Sequence, residues 1–188
     1  MRKALQKASC RRLHFPGLYI HASLHDARKH VSGEFFRSAW KFGVVRNPWA
    51  RLWSRYCCLR MMCQRWERDH PIGEHGMIYA AHGVTFREWL LRLGEPRFCI
   101  HSLDLRPQAE LVEGADFVGR FEDMSGTLTT ISKKLHKNLE MPHANQAKRP
   151  KSGEHVYDPE MREFVRRMYS RDLEVFGYEY DESVIRRR

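Results

Sequence analysis

The fold is decided by the stretch KFGVVRNPWARLWSRY at residues 41–56. Its first part, Lys41 to Arg46, is a short apolar run that predicts a buried strand. Asn47 is a strong helix N-cap, and Pro48 suits the first helical position because an N–H group there would have no partner within the helix. A helix is therefore predicted from Pro48 to about Arg68. Its apolar residues recur at helical spacing and form one buried stripe, made of Leu52, Tyr56, Leu59 and Cys63.

Further strand and helix signals flank this stretch. The segment DFVGRF at 116–121 predicts a second strand, and a helix follows from about Met124 to Lys137. Thr85 can cap a helix that runs to Leu93, and Asp158-Pro159 starts a helix that ends near Gly177. Residues 21–31 are interpreted as a helix or turn region that Gly33 ends. The alternation of strands and helices predicts an α/β domain with an at least partly parallel sheet.

Length and composition limit the class of protein. The chain has 188 residues, of which 42% are hydrophobic, so one domain over residues 1–188 is predicted. No apolar run approaches the roughly 18 residues that span a bilayer, which excludes a membrane-spanning protein. Five cysteines, without a second cluster to complete a metal site, indicate reduced thiols, no metal and a cytoplasmic location.

The charge is strongly positive and unevenly distributed. The net charge is +10 with a pI near 9.6, which indicates an anionic partner. Residues 1–60 carry 13 basic and 2 acidic side chains, whereas residues 61–132 carry 7 and 11. An anion site is therefore expected in the first third of the chain or in contact with it.

The junction at residues 46–54 has the parts of an anion site. Arg46 lies at the carboxyl end of the predicted strand, where open α/β sheets bind ligands, and can make a forked, charge-assisted contact. The following helix is expected to offer unoccupied N–H groups, and Ser54 can donate its hydroxyl. The alternative is an ordinary strand–helix junction with solvated arginines. Arg51 is interpreted as a structural residue that forms an ion pair with Glu122 or Asp123.

The motif RNPWARLWSRY at 46–56 resembles the 3′-phosphate-binding motif of the sulfotransferases, in particular the carbohydrate sulfotransferase-like group. Three further segments resemble the same family in the same order: RPQAELV at 106–112, DFVGRFEDM at 116–124 and YDPEMREFVRRMYSRDLEVFGY at 157–178. The resemblance implies a P-loop-NTPase-like fold, with a central, largely parallel sheet flanked by helices. Animal members of the family are often anchored in the Golgi membrane.

The resemblance also implies an activity and a set of site residues. Such enzymes transfer a sulfuryl group from 3′-phosphoadenylyl sulfate (PAPS) to a hydroxyl, here expected on a glycan. By position, Arg46 and Ser54 would bind the 3′-phosphate and Phe121 would lie near the adenine. Lys148 and Arg149 would belong to a basic flap over the nucleotide. The alternatives are a core role for Phe121 at a strand end and a solvated charge run for Lys148 and Arg149.

Sulfuryl transfer also needs a base for the acceptor proton, and histidine suits this role near neutral pH. The segment PGLYIHASLHDARK at 16–29 resembles the family segment that carries such a histidine. His21 fits the position best and His25 is the second candidate. The alternative for either residue is a hydrogen-bonded structural histidine.

One family signature does not occur in the sequence. Family members open with a strand and a lysine-bearing loop resembling His-x-Pro-Lys-Thr-Gly-Gly-Thr-Ser, whose backbone N–H groups hold the 5′-phosphosulfate. Two explanations are open: a longer protein whose start was assigned to Met1, or a natural remnant. Residues 1–188 alone are expected to have little activity, and the missing strand is expected to leave an uncovered sheet edge that favours a homodimer.

Two rival functions remain. The first is a non-catalytic module that binds a nucleotide or a sulfated glycan. The second, more remote, is a nucleic-acid-binding domain, suggested by arginines interleaved with aromatic residues. Because these aromatics have the spacing of a helix core and no nucleic-acid motif occurs, no nucleic-acid partner is expected. The aromatics in question are Trp49, Trp53, Tyr56 and Trp66.

Overall fold

A computed structural model of the chain describes residues 23–66, 83–95, 105–140 and 156–186. The chain divides into two compact units, one formed by Met1–Arg46 with His101–Ala144 and the other by Asn47–Ile100 with Asn145–Arg188. The single domain expected over residues 1–188 stays a prediction. In chain order the described elements are α1 (Leu24–Arg28), α2 (Gly33–Ser38), β1 (Phe42–Val45), α3 (Pro48–Trp66), α4 (Phe86–Arg92), α5 (Gln108–Leu111), β2 (Phe117–Arg120), α6 (Met124–Leu135), α7 (Pro159–Met168), α8 (Ser170–Phe176) and α9 (Glu182–Arg186).

The first unit is built on a parallel pair of strands. β1 and β2 are hydrogen-bonded in parallel, with Phe42 opposite Phe117 and Val45 opposite Arg120. The N–H of Phe121 donates to the Val45 carbonyl at 2.8 Å, so the pairing continues one residue beyond β2. Both predicted strands and the parallel arrangement are confirmed for the described part of the chain.

Helix α6 packs closely on β2. Its face contributes to a core in which Ile131 is fully buried. A Cβ atom on Gly119 would lie 2.3 Å from Cγ2 of Thr127, so the helix can approach the strand only because residue 119 has no side chain. The Thr127 hydroxyl accepts from the Arg120 N–H and donates to the Arg120 carbonyl, both at 3.0 Å. The core further contains Leu128, Leu139, Trp40, Phe42, Phe117, Met124 and Leu135.

The segment before β1 differs from the prediction. Helix α1 ends at Arg28, and Gly33 begins α2 instead of ending the preceding segment. The reason is local capping, because the Ser32 hydroxyl accepts from the Phe35 N–H at 3.2 Å. A serine in the N-cap position outweighs the low helix propensity of one glycine in the first turn.

The second unit is organised around α3. The helix starts at Pro48 as predicted, and Leu52, Tyr56 and Leu59 are buried as predicted. The side chain of Cys63 lies outside the described residues. Two aromatic rings of α3 pack in this core with three rings from other segments, namely Trp53 and Tyr56 with Phe86, Trp89 and Tyr157.

The C-terminal helical region is interrupted. One helix was predicted from Asp158 to Gly177, but Tyr169 leaves the helical conformation with φ −115° and ψ 28° and separates α7 from α8. The start and the end agree with the prediction: Asp158 caps α7, and Gly177, at φ 61°, ends α8. Thr85 caps α4, also as predicted. Within the described ranges, no helix combines the length and apolar character needed to cross a membrane.

Candidate functional site

Two predicted site residues meet at the carboxyl end of the sheet in the first unit. Arg46 directly follows β1 and Phe121 directly follows β2. Because Val45 lies opposite Arg120, the next residues of the two strands are also neighbours. The guanidinium carbon of Arg46 lies 4.4 Å from the centroid of the Phe121 ring. The parallel register thus brings together two residues that are 75 positions apart in the sequence.

The contact is a cation–π interaction, in which the ring's electron-rich face attracts the guanidinium. Arg46 is half-buried, whereas Phe121 is 42% exposed and lies outside the core. The alternative interpretation of Phe121 as a core residue is therefore wrong.

The backbone of Arg46 is held by a side chain that the sequence did not point to. The Arg46 N–H donates to Oε1 of Gln108 at 2.8 Å, and Nε2 of Gln108 donates to the Arg46 carbonyl at 2.7 Å. Gln108 is 6% exposed and begins the short helix α5. It lies in the family-like segment 106–112, but no local pattern predicts a partner 62 residues away.

The start of α3 differs from the expected anion site. Pro48 has no N–H, and the N–H groups of Trp49 and Ala50 donate to Oδ1 of Asn47 at 3.1 and 3.3 Å. The N–H of Arg51 donates to the Asn47 carbonyl. The expectation of unoccupied N–H groups is therefore wrong, because the capping side chain that starts the helix also takes its first donors.

Arg51 and Ser54 lie on α3 in the second unit. The guanidinium carbon of Arg51 lies 5.8 Å from the centroid of the Tyr169 ring. Burial raises the pKa of Tyr169 to about 12, although the Arg51 charge acts in the opposite direction. Ser54 is half-buried. Its assignment to the 3′-phosphate and the ion pair expected for Arg51 stay predictions.

The second histidine candidate lies on α1 in the first unit. His25 is exposed, next to Asp26 in the first turn of this helix. The Ser23 hydroxyl and N–H donate to Asp26 at 2.7 and 3.1 Å, and the Asp26 N–H donates to the Ser23 hydroxyl oxygen at 3.0 Å. The hydroxyl and the N–H of Ser23, together with Arg106 at 3.4 Å, lower the pKa of Asp26 to about 2. The helix that carries His25 is thus firmly capped and tied to residue 106.

The remaining predicted site residues, His21, Lys148 and Arg149, lie outside the described residues. Their roles stay predictions from the resemblance. In the part of the chain that the structure describes, no group of three or more histidine, cysteine or acidic residues is placed to hold a metal ion.

A family model provides an independent comparison. The model described as "Sulfotransferase family" matches residues 9–179. This range contains all seven predicted site residues and every described element except α9. Neither a curated protein nor a solved structure gives a significant match.

Proposed function

The chain belongs to the sulfotransferase family, and from this premise we propose that it takes a sulfuryl group from PAPS and transfers it to a hydroxyl of a carbohydrate or similar acceptor. In this proposal the nucleotide is a cosubstrate that leaves as adenosine 3′,5′-bisphosphate (PAP). The acceptor hydroxyl comes from a second molecule.

The observation that carries the proposal is the contact between Arg46 and Phe121 at the ends of two parallel strands. A nucleotide presents a charged phosphate and a flat base, and the pair offers a guanidinium and an aromatic face 4.4 Å apart. The exposed part of Phe121 leaves ring surface for a base. We assign Arg46 to the 3′-phosphate and Phe121 to the adenine, in line with the family motif.

Sulfuryl transfer forms one S–O bond, breaks another and needs one base to take the acceptor proton. The acceptor oxygen attacks sulfur and forms the new S–O bond, while the S–O bond to the 5′-phosphate breaks and its electron pair stays on PAP. The acceptor proton passes to a histidine, for which His21 and His25 are the candidates. His25 is exposed and therefore accessible to an acceptor. Ser54, Lys148 and Arg149 are assigned to the nucleotide on the resemblance alone.

Nucleotide binding tests the first half of the proposal. We expect calorimetry to show tighter binding of PAP than of adenosine 5′-monophosphate (AMP), since only PAP carries the 3′-phosphate. Arg46→Met should weaken PAP binding about 10- to 100-fold, the usual effect of losing a charge-assisted hydrogen bond. Phe121→Leu should weaken the binding of both nucleotides about tenfold, because both carry the adenine.

The matched control is Arg37→Met, which removes an exposed arginine from α2 in the same unit. It should leave both affinities unchanged. If Arg37→Met and Arg46→Met had equal effects, binding would depend on overall charge and the site assignment would be refuted.

Turnover tests the second half. Transfer of labelled sulfate to a set of glycans, with His21→Gln and His25→Gln variants, identifies the base by the loss of the rate at unchanged PAP affinity. Residues 1–188 do not contain a string resembling His-x-Pro-Lys-Thr-Gly-Gly-Thr-Ser, so we expect a low wild-type rate, with which the two histidine variants are compared. Binding without any transfer would favour the non-catalytic binding module, whereas robust transfer would overturn the expectation of low activity.

A further inference from the structure

The side-chain amide of Gln108 makes, with the backbone of Arg46, the hydrogen bonds that a neighbouring strand would make. Successive residues of a strand direct their N–H and C=O groups alternately to its two edges. The Val45 carbonyl is bonded to the Phe121 N–H on the β2 side, so the backbone groups of Arg46 point to the opposite edge. There the amide of Gln108 bonds both groups, at 2.8 and 2.7 Å. A side-chain amide thus completes the hydrogen bonding of the strand at this residue.

A second contact holds the same segment against β1. A Cβ atom on Gly43 would lie 2.4 Å from Cγ1 of Val112, so the end of α5 packs directly on the strand backbone. Ala109, next to Gln108, is also buried. The segment is therefore fixed along β1 at two places, once at Gly43 and once at Arg46.

We propose that Gln108 is a positioning residue, which fixes the backbone of Arg46 so that its guanidinium stays on the Phe121 ring and meets the 3′-phosphate of the nucleotide. The inference rests on the proposed function. A positioning role differs from an ordinary structural role, because loss of Gln108 should weaken only the binding of the 3′-phosphate. Only the 3′-phosphate contribution should fall, while contacts to the rest of the nucleotide should persist.

The test compares PAP and AMP affinities in the Gln108→Met variant, which keeps the side-chain length but loses both hydrogen bonds. The ratio of the two dissociation constants reports the 3′-phosphate contribution. We expect the PAP affinity to fall about tenfold and the AMP affinity to stay within about twofold, because a misplaced guanidinium loses part of its charge-assisted hydrogen bonding to the 3′-phosphate. Gln108→Glu keeps the acceptor for the Arg46 N–H and should give an intermediate ratio.

A double variant separates positioning from general damage. If Gln108 acts through Arg46, the variant with both Arg46→Met and Gln108→Met should show the same ratio as Arg46→Met alone. Glu110→Met, on the same short helix, is the control and should leave the ratio at the wild-type value. Circular dichroism checks that each variant is folded. If Gln108→Met does not fold, Gln108→Glu replaces it in the comparison of PAP and AMP affinities.

The outcomes distinguish the two proposals. A wild-type preference for PAP that both Gln108 variants leave intact would overturn the inference alone. An equal loss of PAP and AMP affinity in Gln108→Met would also overturn it. Equal wild-type affinities for the two nucleotides would overturn the proposed function, and the inference with it.

Discussion

Replacement of Asn47 by alanine should destabilise the second unit without removing any group that we assign to the nucleotide. Asn47 is 3% exposed. Its Oδ1 accepts from the N–H groups of Trp49 and Ala50, and its Nδ2 donates to the Glu179 carbonyl at 2.8 Å. Loss of an N-cap costs about 1 kcal/mol, and a carbonyl left without its donor adds about 1–2 kcal/mol. The expected loss in the free energy of unfolding is therefore about 2–3 kcal/mol.

Urea unfolding followed by far-ultraviolet circular dichroism measures this loss. In thermal unfolding it corresponds to a decrease in Tm of about 4–12 °C for a chain of this length. Asn47→Asp keeps the acceptor at the helix start but places a buried carboxylate oxygen against the Glu179 carbonyl, so it should not recover the stability lost in Asn47→Ala. The matched control is Asn138→Ala at an exposed residue, expected to lie within about 0.5 kcal/mol of the wild type. A similarly small effect for Asn47→Ala would refute the reasoning.

Two further perturbations follow from the first unit. Gly119→Ala places a Cβ 2.3 Å from Cγ2 of Thr127 and should cost about 1–3 kcal/mol in urea unfolding. Gly33→Ala, at an exposed helix start, is the control and should be neutral or stabilise the protein by up to about 1 kcal/mol. Equal effects of the two substitutions would contradict the close packing of Gly119 against Thr127. The pKa of Asp26 falls from 3.8 to about 2 on folding, chiefly through Ser23. Its stabilising effect is therefore complete above pH 3.8 and is lost as the pH falls towards 2. Asp26→Asn should flatten the decrease in urea midpoint over this range, and an unchanged acid profile would argue against the capping contacts.

Local signals predicted much of the fold. Asn47-Pro48, Thr85 and Gly177 act within a few residues, where capping geometry and backbone preference decide the structure. The burial of Leu52, Tyr56 and Leu59 followed from helical spacing in the same way. These interactions are short in range, so they can be read from neighbouring residues.

Contacts between distant segments could not be predicted. The register that places Arg46 beside Phe121 depends on how two strands pair across 75 residues, although the family motifs did point to both residues. The bonds from Gln108 to Arg46 form only when α5 has packed on β1. The break at Tyr169 is equally invisible, since this aromatic residue has no intrinsic tendency to end a helix.

The occupied start of α3 has a consequence for how solution conditions act on an anionic ligand. Asn47 takes the N–H groups of Trp49 and Ala50, and Gln108 takes the N–H of Arg46, so the contribution proposed for Arg46 would come from its side-chain charge. A guanidinium keeps its proton over the whole range in which proteins are handled, whereas its field is screened within about 10 Å at 0.1 M salt and about 3 Å at 1 M. Above about pH 7, where a phosphate monoester is doubly ionised, we therefore expect ionic strength, far more than pH, to control this part of the affinity, so that elution from a nucleotide column should follow salt.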